Sequence, residues 1–183
     1  MKCNLPTLWT DEEWLTKNPQ RISAAQVRVN EYIEANGGGS ILHVGIGDSS
    51  LARKVSKLFT QIDGITNTRQ EERMGNELGL SNYKIYFMNK HDPIELNKLG
   101  TYDLISDVNL KSFACCQEHW ETYLKTILSK LKKGGRLVSH KDGLGGYGTE
   151  FDNSLTMYEL KHLLTSEYIL IEDFTGLFTI EKI

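Results

Sequence analysis

The stretch Ile41-Leu42-His43-Val44-Gly45-Ile46-Gly47-Asp48-Ser49-Ser50-Leu51-Ala52 limits the possible folds more than any other part of the chain. A short apolar run ends in Gly-x-Gly, and an amphipathic helix follows at once, with Leu51, Val55, Leu58 and Phe59 on one face. Strand, glycine turn and helix in that order present backbone N–H groups to a ligand. Glycine at 45 and 47 lets the main chain turn sharply and lie where a Cβ would intrude.

The alternation then continues. Strands are predicted at 41–44, 61–65, 84–88, 103–106, 136–139, 168–174 and 177–181. Between them fall helices at about 51–59 and 69–78, a helical turn after His91, and a strong helix with an apolar face of Trp120, Tyr123, Leu124, Ile127, Leu128 and Leu131, stopped by Gly134-Gly135. A last helix is capped at Thr156 and runs through Leu164. Strands alternating with helices imply an α/β, doubly wound, mostly parallel seven-stranded sheet of Rossmann-like type. The final two strands are linked only by Thr175-Gly176, too short for a crossover helix, so the last strand is antiparallel. Residues 1–39 read as an N-terminal helical segment within the same single domain, and 40–183 as the α/β domain. Two capping boxes open its helices, Thr10 to Glu13 and Ser23 to Gln26, with Pro19 between them and Gly37-Gly38-Gly39 at the end.

Composition excludes several classes. A net charge of −3 over 183 residues, with no dense basic patch, predicts no attraction to nucleic acid or an anionic membrane. No apolar run is long enough to span a bilayer, and the start lacks a basic-then-apolar leader, so the expected location is cytoplasmic. Cys3, Cys115 and Cys116 form no disulfide framework and read as reduced. His91, His119, His140 and Cys115 match no metal-ligand spacing, so no metal is expected.

Four segments together resemble the class I S-adenosylmethionine-dependent methyltransferases. His43 to Ser49 is similar to the family's acidic-x-Gly-x-Gly-x-Gly turn, with His43 in place of the acid and Ser49 in place of the third glycine. Gly64-Ile65-Thr66-Asn67-Thr68 through Glu71 resembles the Gly-Ile-Thr segment of small-molecule and lipid methyltransferases. Leu131 to Leu137 is similar to the Leu-Lys-Pro-Gly-Gly-Arg-Leu turn, with Lys133 for the proline, and the closing hairpin resembles the family's reversed seventh strand.

The resemblance implies S-adenosyl-L-methionine as cofactor and methyl transfer to a small-molecule acceptor. It sets Gly45 and Gly47 against the methionine part and ribose. Asp48 either accepts from the cofactor's ammonium or caps the helix, and Ser49 stands beside it. Thr66, Asn67 and Glu71 fall where the ribose hydroxyls need acceptors. Among Asn89, Lys90, His91 and Asp92, Asp92 suits the adenine amine, or else caps a turn before Pro93. Asp107 and Asn109 follow strand 4 at the carboxyl edge, where ligands bind in open α/β sheets. His140 is the candidate general base, or a packed histidine, and Tyr147 belongs to a glycine-rich loop over the acceptor. Two other functions fit parts of the pattern. One is a catalytically inactive methyltransferase-fold scaffold, suggested by the altered His43, Ser49 and Thr66 positions. The other is an NAD-dependent oxidoreductase, suggested by Gly45-x-Gly47-x-x-Ser50, though its third glycine is missing and no substrate domain follows.

Overall fold

A computed structural model describes Leu8, Thr10, Glu12, residues 23–144 and residues 156–183. The helix predicted from Thr10 and the loop carrying Tyr147 lie largely outside these residues. Among the described residues there are seven strands: β1 Ser40–Val44, β2 Gln61–Thr66, β3 Tyr83–Phe87, β4 Tyr102–Asp107, β5 Leu131–His140, β6 Tyr168–Glu172 and β7 Leu177–Lys182. The helices are α1 Ala24–Ala35, α2 Ser50–Val55, α3 Arg69–Asn76, α4 Pro93–Asn97, α5 Gln117–Ser129 and α6 Met157–Leu163, with a 3-10 turn at Lys141–Leu144.

The sheet order is β3-β2-β1-β4-β5-β7-β6. The first five strands pair in parallel, and β7 is antiparallel to both β5 and β6. This is the expected doubly wound, mostly parallel Rossmann-like sheet with its reversed last strand. Alternation of side chains along β1 explains the layering. Leu42 and Val44 enter one core with Trp120, Tyr123, Leu124 and Ile127 of α5. Ile41 enters the other with Val29 and Ile33 of α1 and Leu51 and Val55 of α2. Each such fully buried large side chain contributes about 1.5–3 kcal/mol. Among the described residues no helix is long and apolar enough to cross a membrane.

Two boundaries depart from expectation. α2 has only six residues, and Leu58, placed on its apolar face by periodicity, is exposed. The long helix stops at Ser129, before Gly134-Gly135, and those glycines lie inside β5. Gly134 has φ +74°, and a Cβ on Gly135 would stand 2.9 Å from the Tyr102 carbonyl oxygen. The β4–β5 register shifts at this point, between Tyr102 and Leu104, so the glycines serve an irregular strand pairing and not a helix stop.

Candidate functional site

In this strand order the winding reverses between β1 and β4, and a crevice forms outside the carboxyl ends of strands at such a switch point. A cleft of about 520 Å³, open mouth included, lies there. Each strand end contributes to it: Gly45 after β1, Thr66 and Asn67 at β2, Lys90 and His91 after β3, Asp107 and Asn109 at β4.

The glycine turn is built from alternating left-handed residues, Gly45 at φ +77°, Gly47 at +54° and Ser49 at +59°. A Cβ on Gly45 or Gly47 would touch nothing within 4 Å, so these glycines face open space. The amides are not all available. Gly45 N and Ile46 N both donate to the Ile65 carbonyl, at 2.9 and 3.3 Å, which ties the turn to β2. Gly47 N–H and Asp48 N–H have no hydrogen bond among the described residues. Asp48 precedes the N-cap residue Ser49 and accepts from Ser50 N, the first residue of α2, at 3.0 Å. Ser49 is fully buried, and its hydroxyl pairs with Tyr83 Oη at 3.0 Å, so it faces the fold and not the cleft.

After β2, Thr66 Oγ1 donates to Glu71 Oε2 at 2.6 Å, and Thr68 caps α3 by accepting from Glu71 N. The hydroxyl and the carboxylate are thereby set side by side, with Thr66 lining the cleft and Glu71 behind it. Asn67 lines the same wall.

After β3 the sequence expectation shifts by one residue. Asp92 is the cap of α4; its Oδ1 accepts from Ile94 N at 2.9 Å and Glu95 N at 3.3 Å, and it does not line the cleft. His91 does line it. Its Nε2 meets the Ser112 carbonyl at 3.1 Å and so carries the proton, which leaves Nδ1 as a buried acceptor with no partner. Burial, helped by the charge of Lys90, pushes the ring down to about 3, so it is neutral. The signal was available: Pro after Asp marks a helix start and claims the aspartate for the cap.

Lys90 crosses the cleft floor. Its Nζ lies 2.8 Å from Asp107 Oδ2 and donates to the Asn109 carbonyl at 2.6 Å and, at 3.4 Å, to that of Leu110. Burial lowers the lysine from its usual range while Asp107 opposes the shift. Three acceptors around one nitrogen match the three N–H bonds of an ammonium, where an amine has two, so Lys90 is charged. Tyr123 Oη donates to the same Asp107 oxygen at 2.6 Å, and burial raises its phenol well above the ordinary range. Asp107 Oδ1 accepts from Asn109 N at 3.0 Å. Phe113, half-buried at the cleft wall, holds φ +69°, a strained backbone for a bulky side chain.

Those of the remaining candidates that are described lie off the cleft. His140 is buried at the end of β5, with Nε2 at 3.1 Å from the Thr175 carbonyl and Nδ1 accepting from Asp142 N at 3.2 Å. Both nitrogens are committed to backbone, so the imidazole has no lone pair to act as a general base; it braces the β6–β7 turn. His43 is buried, pushed down to about 4 by desolvation despite Asp107 and Asp48, and its Nδ1 has no partner. Its register neighbour on β4 is Ser106, whose hydroxyl also lacks one. Cys115, Cys116 and His119 bring possible ligand atoms within 4.8 Å of one another. Against the expectation of reduced cysteines, Cys115 is disulfide-bonded; Cys116 is a free thiol. Tyr147 lies outside the described residues.

No protein-family profile and no curated protein sequence matches the chain. Solved structures do share its fold. N-methyltransferase NodS from Bradyrhizobium japonicum WM9 has a TM-score of 0.66 at 12% identity, covering 85% of this chain and 93% of its own. CalS10 from Micromonospora echinaspora, an amino pentose methyltransferase solved with SAM bound, has a TM-score of 0.60 at 12% identity, covering 86% of this chain and 89% of its own. An rRNA methylase from Streptococcus thermophilus has a TM-score of 0.58 at 12% identity, covering 89% of this chain and 99% of its own. At such identities the likeness establishes the fold alone.

Proposed function

We propose that the cleft binds S-adenosyl-L-methionine and that the chain transfers its methyl group to a small-molecule acceptor. The observation that carries this reading is one cleft lined both by an open glycine surface at Gly45 and by His91, whose buried Nδ1 is an acceptor with no partner. A buried acceptor without a donor costs about 1–3 kcal/mol, which a ligand N–H reaching it would recover. The exocyclic amine of adenine supplies one. Thr66 and Glu71 offer a hydroxyl and a carboxylate for ribose hydroxyls, and the amides of Gly47 and Asp48 suit the methionine carboxylate. The SAM-bound state of CalS10, on the same fold, supports the choice of cofactor.

The cofactor supplies a methyl group already activated on a sulfonium. The chain's own part is to hold the cofactor along the ends of β1 to β3, orient the acceptor beside Asn109 and Phe113, and keep water out. A small-molecule acceptor is favoured by the net charge of −3, which offers no field for a polyanion such as the substrate of the rRNA methylase.

The commitment of both His140 nitrogens favours a second reading, a methyltransferase-fold protein that binds the cofactor without turning it over. One experiment separates the readings. Calorimetric titration with S-adenosyl-L-methionine, S-adenosyl-L-homocysteine and NAD is followed by mass-spectrometric detection of demethylated cofactor in the presence of an acceptor panel. One-to-one binding of the first two, with acceptor-dependent conversion, is the expected result. Binding without conversion across the panel supports the second reading, and heat from NAD alone discards both.

A further inference from the structure

Among the described residues, the charged side chains that line the cleft are Lys90 and Asp107, one of each sign. They form a fixed pair. The lysine side chain is 11% exposed and the aspartate 2%, with Nζ and Oδ2 2.8 Å apart. Every N–H of the ammonium has an acceptor, and Tyr123 Oη and Asn109 N hold the carboxylate from the other sides. The pair therefore cannot lend its carboxylate to an incoming cation, because the lysine that neutralises it sits in the same wall. Taking a cation out of water onto this neutral, buried ion pair carries a desolvation cost that the pair does not compensate; taking in an uncharged sulfur does not.

Resting on the cofactor assignment above, we propose that Lys90 is a specificity-determining residue: by cancelling Asp107 it turns the cleft from one that selects the sulfonium cofactor into one that holds the uncharged thioether at least as tightly. The preference is then a property of net charge at the cleft floor, and it follows the charge when the charge is changed. Glu71 stands behind Thr66 and is common to the unaltered chain and every variant, so it cancels from the change in ratio between them.

The test is the ratio of dissociation constants for S-adenosyl-L-methionine and S-adenosyl-L-homocysteine, measured by calorimetry at pH 8 on the full chain and three variants, each checked for a cooperative melt. The unaltered protein is expected to bind the thioether with an equal or smaller Kd. Lys90→Met leaves Asp107 uncompensated and moves the ratio towards the sulfonium by about tenfold, the order expected of one unit charge in a partly buried site. Asp107→Asn moves it the other way by a similar factor. The double variant, neutral again, returns to the original ratio. A tenfold preference of the unaltered protein for the sulfonium overturns the proposal on its own, whether or not the single variants fold, as do ratios that stay fixed across folded variants. If neither compound binds the unaltered chain, the cofactor assignment is what has failed.

Discussion

Alanine at Gly45 separates the stability of the glycine turn from its use. The residue holds φ +77°, where a side chain costs about 1–2 kcal/mol through contact of Cβ with the carbonyl oxygen. No packing penalty adds to this, because the new Cβ meets no protein atom within 4 Å. For a chain of 183 residues, 1 kcal/mol corresponds to roughly 2–4 °C in melting temperature, so Gly45→Ala is expected to melt about 2–8 °C lower and remain folded. The space that Cβ enters is the cleft that Gly45 lines. A ligand lying against the turn meets the methyl group directly, and its affinity falls by tenfold or more, about 1.4 kcal/mol. Thermal melting and calorimetry with S-adenosyl-L-methionine read the two effects separately. Gly143→Ala calibrates the opposite case, because its Cβ would collide with the Val108 carbonyl oxygen and unfold the segment outright. A Gly45→Ala protein that melts a few degrees lower yet binds with unchanged affinity refutes the placement of any ligand on this turn.

Three further outcomes are expected. Glu71→Gln removes the charge from the Thr66 pair and weakens cofactor binding by about 1.5–3 kcal/mol, the value of a charged hydrogen bond; an unaltered Kd takes Glu71 out of the site. Asp92→Ala loses a helix cap, lowering stability by about 1 kcal/mol at unchanged cofactor affinity, whereas a tenfold weaker Kd would restore Asp92 as the adenine contact. Acid should destabilise the fold early. His43 and His91 titrate near 4 and 3 in the folded chain against 6.5 when unstructured. In that window the unfolded chain binds more protons, so stability is complete above the unfolded value and is lost as pH falls. The loss is up to about 1.4 kcal/mol per pH unit for each ring. Urea midpoints at pH 7.5 and 5 measure it, and equal midpoints would mean that neither imidazole is shut away from water.

What could be read from the sequence was what is periodic and local. Leu42 and Val44 against Ile41, or Trp120 against Tyr123 and Leu124, declare their faces within a few residues, and the sheet follows from them. Boundaries failed where a distant backbone decided. Gly134-Gly135 has the composition of a helix stop, but the Tyr102 carbonyl behind Gly135 makes it a strand irregularity. The cleft shows the same division. Gly45, Thr66, Asn67, Asp107 and Asn109 line it because a strand's carboxyl end is a local property, so finding the strands found these positions. Which side chains remain available to a ligand is not local. His140 is spent on the carbonyl of Thr175, 35 residues away, and Lys90 on Asp107, 17 residues away. Tyr123, legible only as part of an apolar stripe, is both core and the third partner of that ion pair. Residue type and position gave the inventory of the site. Its net charge, its one unpartnered acceptor and the loss of its expected base arise from pairings across the sheet, and these decide which ligand the cleft can hold.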